Sequence, residues 1–214
     1  MATTSVISGH GGNARRLPIT DLGETIRVID GFLTPDECAR ALDELEIAIW
    51  NPSLVYVKHG DGVYRDIFSP LRVSETAQER WFSAPMHAIL RRTERRLQAM
   101  FGVAPAELES WQATTYPRGG TFYYHLDAGY WDGHHAGDRI LTFLLYLTTP
   151  IKGGGTHFRA LDVEVEAKAG RLLVWDNLFP DGRCNHRMIH SSVPLLQGKK
   201  TTLISWQRQK RYRP

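Results

Sequence analysis

The hydrophobic pattern changes character once along this chain. Up to Phe101 the recurring apolar positions fall mostly at helical spacing. From Leu108 onward they form short alternating or continuous runs of β-formers, punctuated by Gly and Pro. Residues 34–50 predict a first helix: Thr34 suits the N-cap, Pro35 the first helical position, and Glu37 completes a capping box. Cys38, Ala41, Leu42, Leu45 and Ile49 then share one face. Residues 84–101 predict a second helix, with Met86, Ile89, Leu90, Leu97 and Met100 at helical spacing and Arg91, Arg92, Arg95 and Arg96 on or near the other face. Thr25–Ile29 reads as a strand before the first helix and Leu54–Val57 as one after it, with His59–Gly62 as a turn. Strands are predicted over 109–116, 121–126, 138–148, 155–158, 162–166, 171–175, 184–190 and 200–208. Helices first and many short strands afterwards predict a mainly β chain with flanking helices, a sandwich or jelly roll. Residues 1–22, rich in Gly, Ser, Thr and Arg, predict a flexible arm. Residues 23–214 then form a single domain, with helices within 34–101 and a jelly-roll core over 108–210.

Composition narrows the class. A chain of 214 residues fits one domain with a substantial core. Its 42% hydrophobic and 23% charged residues mark it as globular. A net charge of +3 gives no reason to expect nucleic acid, although Arg208–Arg213 is locally basic. No apolar run approaches a membrane helix, and the first residues lack the basic and apolar regions of a signal peptide. Cys38 and Cys184 lie too far apart for a metal or redox motif, which suits a reducing cytoplasm.

The candidate chemistry centres on Tyr116–Asp127, which ends in His125-x-Asp127. Strand alternation puts residues i and i+2 on one face, so an imidazole and a carboxylate can converge on one point. Two ligands hold a metal weakly, and His190, after an apolar-rich run, is the candidate third; His186 competes with it. His134, His135 and His157 read as exposed or structural. Two His and one carboxylate on one face is the ligand set of non-haem Fe(II) oxygenases, with other positions open for a co-substrate and oxygen. The same three ligands also suit zinc, which leaves a hydrolase open if a general-base Glu stands near the metal. A non-catalytic jelly-roll binding protein is a third reading.

From Trp111 to Trp206 the sequence resembles the 2-oxoglutarate- and Fe(II)-dependent dioxygenases of the prolyl 4-hydroxylase type. The matching residues are Tyr116 and Gly119, His125 and Asp127, Arg139 with Thr142, Gly153-Gly154-Gly155-Thr156-His157-Phe158, His190, Pro194, Gly198, Lys200 and Trp206. The steps from Tyr116 to His125 and from His190 to Lys200 follow that family's spacing and select His190 over His186. The resemblance implies a double-stranded β-helix with the two N-terminal helices packed on one sheet. It implies Fe(II) on His125, Asp127 and His190, with O2 and 2-oxoglutarate as co-substrates and ascorbate in support. The far carboxylate of 2-oxoglutarate would meet Lys200 and Tyr116, with Thr142 and Thr156 lining that pocket. Arg139 is either a substrate contact or a structural ion pair; Trp206, Tyr130 and Trp131 would shape the substrate side with it. Residues 51–82 would supply substrate-covering loops, with Tyr64, Arg65 and Arg72 as contacts. The implied reaction hydroxylates an unactivated C–H and releases succinate and CO2. The substrate class stays open among a prolyl peptide, a free amino acid and a small natural product, and a homodimer is compatible. Phe122 stands where the family commonly has a second Tyr, Gly155 where it has Glu, and Ser191-Ser192 where it has Ala or Gly.

Overall fold

The structure is a computed structural model that describes residues 2–6, 16–22, 25–131 and 133–214. Strands β1 (Ala2–Val6), β2 (Arg16–Asp21) and β3 (Ile26–Ile29) precede helix α1 (Pro35–Glu46). Strands β4 (Trp50–Pro52), β5 (Val55–Lys58), β6 (Tyr64–Ile67) and β7 (Glu75–Gln78) separate it from α2 (Ala84–Phe101). Strands β8 (Gln112–Tyr116), β9 (Phe122–His125), β10 (Arg139–Tyr146), β11 (Lys152–Gly153), β12 (Thr156–Phe158) and β13 (Val163–Val165) follow. The chain closes with β14 (Leu172–Asp176), β15 (His190–Ser192), β16 (Leu195–Gln197) and β17 (Lys200–Arg208).

Both helices start where their caps dictate. Thr34 Oγ1 accepts from the Glu37 N–H at 3.2 Å while the Glu37 carboxylate accepts from the Thr34 N–H at 2.9 Å. Helix α1 stops at Glu46, short of the expected Trp50. Trp50 instead opens β4 against β7, and its indole N–H donates to Leu45 O, satisfying a carbonyl the helix end leaves orphaned. Ile49 therefore falls off the predicted face and is 54% exposed. Helix α2 has the expected bounds: Ser83 caps its first turn, and Gly102, at φ 69°, ends it in the left-handed conformation.

A nine-stranded sheet runs in the order β1-β2-β3-β14-β10-β17-β8-β7-β4, opposite a four-stranded sheet of order β13-β12-β15-β9. All of their pairings are antiparallel. The large sheet is covered on both faces, and two-residue alternation divides its side chains between two cores. Phe143, Leu145, Leu172, Val174 and Leu203 pack with Cys38, Ala41, Leu45, Met86, Ile89, Leu90 and Leu97 of the helices. Leu144, Tyr146, Leu173 and Trp175 face the small sheet and meet Phe158 and Val165. This double burial explains why β10 reads as a continuous apolar run rather than an alternating one.

One further expectation needs correcting. Residues 184–190 do not form a strand: Asn185 donates to Asp176 O and accepts from the Arg187 N–H, and this bends residues 186–188 into a 3-10 turn before β15. The expected arm runs, in its described parts, as β1 and β2, which extend the sheet from the open edge of β3. Ile19 of β2 is buried in the helix-side core. Residues 1, 7–15 and 23–24 lie outside the described residues. Among the described residues no helix is long and apolar enough to cross a membrane.

Candidate active site

The inner faces of both sheets line one cavity of about 830 Å³. Alternation chooses the wall. From β8 it takes Gln112, Thr114 and Tyr116; from β17 it takes Lys200, Thr202, Ile204 and Trp206. The small sheet adds Phe122, His125, Thr156, His190 and Ser192.

His125, Asp127 and His190 meet at one end. Their candidate ligand atoms all lie within 4.8 Å of one another. His125 and His190 are direct cross-strand partners on β9 and β15. Asp127 comes from the turn just after β9, with an oxygen 3.8 Å from His125 Nε2 and the other 3.9 Å from His190 Nε2. Each imidazole donates its Nδ1–H to the backbone carbonyl two residues earlier, His125 to Tyr123 O at 2.8 Å and His190 to Met188 O at 2.9 Å. That bond fixes the tautomer and leaves both Nε2 lone pairs facing Asp127. The third ligand is oriented too: Thr142 donates to Asp127 Oδ2 at 2.7 Å, and the Asn177 amide donates to Thr142 Oγ1 at 2.8 Å. Burial, with His190 beside it, pushes the His125 pKa far down. Burial alone would raise Asp127, but His190, His125 and Arg139 outweigh it and hold the carboxyl below its ordinary range. Two imidazole lone pairs and one carboxylate, converging on the wall of an open cavity, fit a first-row divalent metal.

Lys200 is 2% exposed. Its ammonium donates to Ser192 Oγ at 2.6 Å, reaches Gly155 O only at 3.4 Å, and lies 4.5 Å from the Tyr116 ring centroid. Burial lowers its pKa to about 7, opposed by Glu164. The glycine turn makes room for the lysine stem: a Cβ on Gly154, already at φ 77°, would sit 3.1 Å from Pro150 Cγ and 3.3 Å from Lys200 Cδ. Thr156 lines the cavity and bonds the Tyr146 hydroxyl at 2.6 Å. Thr142, expected beside Lys200, is committed to Asp127 instead and is absent from the cavity wall. On β10 it stands on the inward face two residues before Leu144, which puts it under the ligand turn.

On the other side Arg139 forms a bidentate pair with Glu109, at 2.6 and 2.8 Å, and stacks over Trp206 at 3.7 Å. It is thus an ion pair that also lines the cavity. Arg208 Nε approaches the same carboxylate at 2.6 Å, as an ion pair without an aligned hydrogen bond. The Arg139 and Arg208 guanidinium groups both lie over Trp131, and Tyr56 of β5 stacks on the same indole at 5.0 Å and 5°. Tyr130 also lines the cavity, in an edge-type contact with Tyr64. Tyr64 stacks on Tyr56, and Arg65 turns outward to pair with Asp61. Arg72 reaches the wall, held over Phe122 at 4.6 Å, and Phe122 stacks on His125 with centroids 3.7 Å apart. Sequence reasoning missed Ser192 and Asn177 as site residues, and it missed that Phe122 buttresses a ligand imidazole. Position i+2 from His190 was a signal for Ser192.

Residues 111–208 match the family model of the 2OG-Fe(II) oxygenase superfamily. Prolyl 4-hydroxylase subunit alpha-1 of Gallus gallus is 32% identical over 141 residues, which cover 63% of this chain and 27% of that protein. The chain thus spans about a quarter of that subunit's length. Prolyl 4-hydroxylase 1 of Arabidopsis thaliana is 29% identical over 205 residues, 86% of this chain and 69% of the relative. The viral collagen prolyl hydroxylase of Paramecium Bursaria Chlorella virus-1, solved with 2OG, shares the fold with a TM-score of 0.57 at 22% identity, over 87% of this chain and 97% of that one. Over residues 111–208 this chain is thus similar to the 2OG-Fe(II) oxygenase superfamily, and the relatives it resembles are prolyl 4-hydroxylases.

Proposed function

We propose that the chain is an Fe(II)- and 2-oxoglutarate-dependent hydroxylase acting on a prolyl-type peptide, an amino acid or a small natural product. The observation that carries this reading is the division of one cavity. A two-His, one-carboxylate cluster shares the cavity with a buried ammonium that, among the described residues, has a single good protein acceptor. An isolated buried charge is costly, so a carboxylate that reaches from the metal to Lys200 relieves it. When bound, Fe(II) with 2-oxoglutarate and O2 supplies oxidative attack on a C–H bond, with release of succinate and CO2.

The protein's own part is to bind, orient and exclude water. His125, Asp127 and His190 would hold the metal through the two Nε2 atoms and the carboxylate. Lys200 and Tyr116 would hold the far end of the co-substrate, with Thr156 on the pocket wall. On the substrate side, Trp206 Nε1–H is buried with no partner among the described residues, and Trp206 lines the cavity. A substrate carbonyl is the acceptor that would satisfy it. Arg139 stacks over the indole, and Tyr130, Trp131 and Tyr56 line the same cavity. The relatives' names support a prolyl substrate. A hydrolase would need a free glutamate at the site, whereas the glutamate on this wall, Glu109, is engaged by two arginines. We include in the same proposal a homodimer and a cytoplasmic setting, the latter on the two free thiols of Cys38 and Cys184. The helices on the outer face of the large sheet serve this reading as its buttress.

The test is an anaerobic Fe(II) titration with the visible spectrum recorded. A charge-transfer band that needs both Fe(II) and 2-oxoglutarate, and is lost in His190→Ala, is the expected result. Absence of any band in the unmodified protein overturns the proposal.

A further inference from the structure

Ser192 places a hydroxyl at the second position after His190, a group the hydroxylase reading above has not used. It is 7% exposed and lies on β15 two residues from His190, so its side chain points with the ligand imidazole into the cavity. Its backbone is fixed by the Thr121 hydroxyl, which donates to Ser192 O at 2.6 Å. Its Oγ accepts the shortest hydrogen bond that Lys200 makes. Tyr116 lines the same cavity, with its ring centroid 4.5 Å from the Lys200 ammonium. Lys200, Ser192 and Tyr116 therefore line one cavity, with the ammonium bonded to the serine and lying over the tyrosine ring.

The donor arithmetic assigns the serine a task. An ammonium has three N–H donors and no acceptor; a hydroxyl has one donor and two acceptor sites. While Ser192 Oγ accepts from Lys200, its own hydrogen is free to donate to another oxygen. A carboxylate entering this wall brings two oxygens with about four acceptor sites between them; with one lysine N–H spent on Ser192, Lys200 and Tyr116 have about three donors left. We propose that Ser192 is a third binding residue for the distal carboxylate of the co-substrate, donating its hydroxyl to one carboxylate oxygen while Lys200 turns an N–H to the other. This inference rests on the hydroxylase reading above. In the free protein the same hydroxyl holds the ammonium where the carboxylate will dock, so the pocket is set before the ligand arrives.

The experiment is calorimetric binding, without turnover, to the Co(II)-loaded protein and its variants. The ligands are 2-oxoglutarate and 2-oxopentanoate; the second has a methyl group in place of the distal carboxylate. In Ser192→Ala the affinity for 2-oxoglutarate should fall about tenfold, the scale of one hydrogen bond to a charged group. The affinity for 2-oxopentanoate should not change. Ser192→Gly should repeat the pattern, which guards against one variant failing to fold. Equal 2-oxoglutarate affinity in the unmodified protein and both variants overturns the assignment while leaving the hydroxylase reading intact. An equal loss for both ligands also overturns it, because the serine would then only shape the wall. No 2-oxoglutarate binding by the unmodified protein overturns both readings.

Discussion

The two ends of the cavity are built on opposite plans. At the metal end every ligand is already positioned by the protein. Two backbone carbonyls hold the imidazoles, and a threonine, itself held by an asparagine, holds the carboxylate. At the lysine end a buried ammonium has one short bond, to a serine hydroxyl. The first arrangement is complete without its ion; the second is left electrostatically short. The difference teaches where each kind of change should be felt: damage at the metal end disorders ligands, whereas damage at the lysine end removes an attraction.

The largest effect follows from removing that attraction. Lys200→Ala should weaken 2-oxoglutarate binding roughly a hundredfold, the upper range for a buried charge-assisted bond. Titration of the Co(II)-loaded protein measures it, and an unchanged affinity would erase the contrast between the ends. Thr142→Val keeps the shape but strands Asn177 Nδ2 and frees Asp127 Oδ2. We expect metal affinity to drop about tenfold, in the range for losing a partner of a ligand. Competition with a chromogenic chelator reads this out, and co-substrate binding at saturating metal should scarcely move. The smallest effect concerns pH. Burial holds the Lys200 pKa at about 7 in the free protein, and a docked carboxylate would raise it. Binding then takes up a proton above about pH 7, so 2-oxoglutarate affinity should be flat below that pH and fall as pH rises, by at most tenfold per unit. Calorimetry in two buffers of different ionisation enthalpy counts the protons; zero uptake at about pH 8 would mean the ammonium is already charged without its ligand.

Much of this architecture is written locally in the chain. The capping box at Thr34 and Glu37 and the αL glycine after Phe101 act within a few residues, so both helix starts and the end of α2 are readable in advance. The clustering of His125 and His190 follows from a cross-strand pair, while Asp127 joins them from the turn just after β9. What stays hidden is set by distant partners. Helix α1 ends early because Trp50 is claimed by β7, and the turn at 186–188 exists because Asn185 is claimed by Asp176. Thr142 serves Asp127 rather than the lysine pocket because of where β10 passes beneath the ligand turn, a fact no spacing encodes. Ser192 was visible as a departure, but its bond to Lys200 depends on two strands meeting in space.

The double burial of the large sheet ties chemistry to folding through parity. Along β17 the odd residue Leu203 serves the helix-side core, while the even residues Lys200, Thr202, Ile204 and Trp206 face the cavity. A slip of one residue would exchange the two sets completely, because side chains alternate with a period of two. Lys200 would then point at the helices and Leu203 at the co-substrate. No partly shifted strand can keep half a site. Neutral drift in the helix-side core is thus policed by the same register that aims the lysine, and a length change inside β17 should be rarer in evolution than any single substitution there.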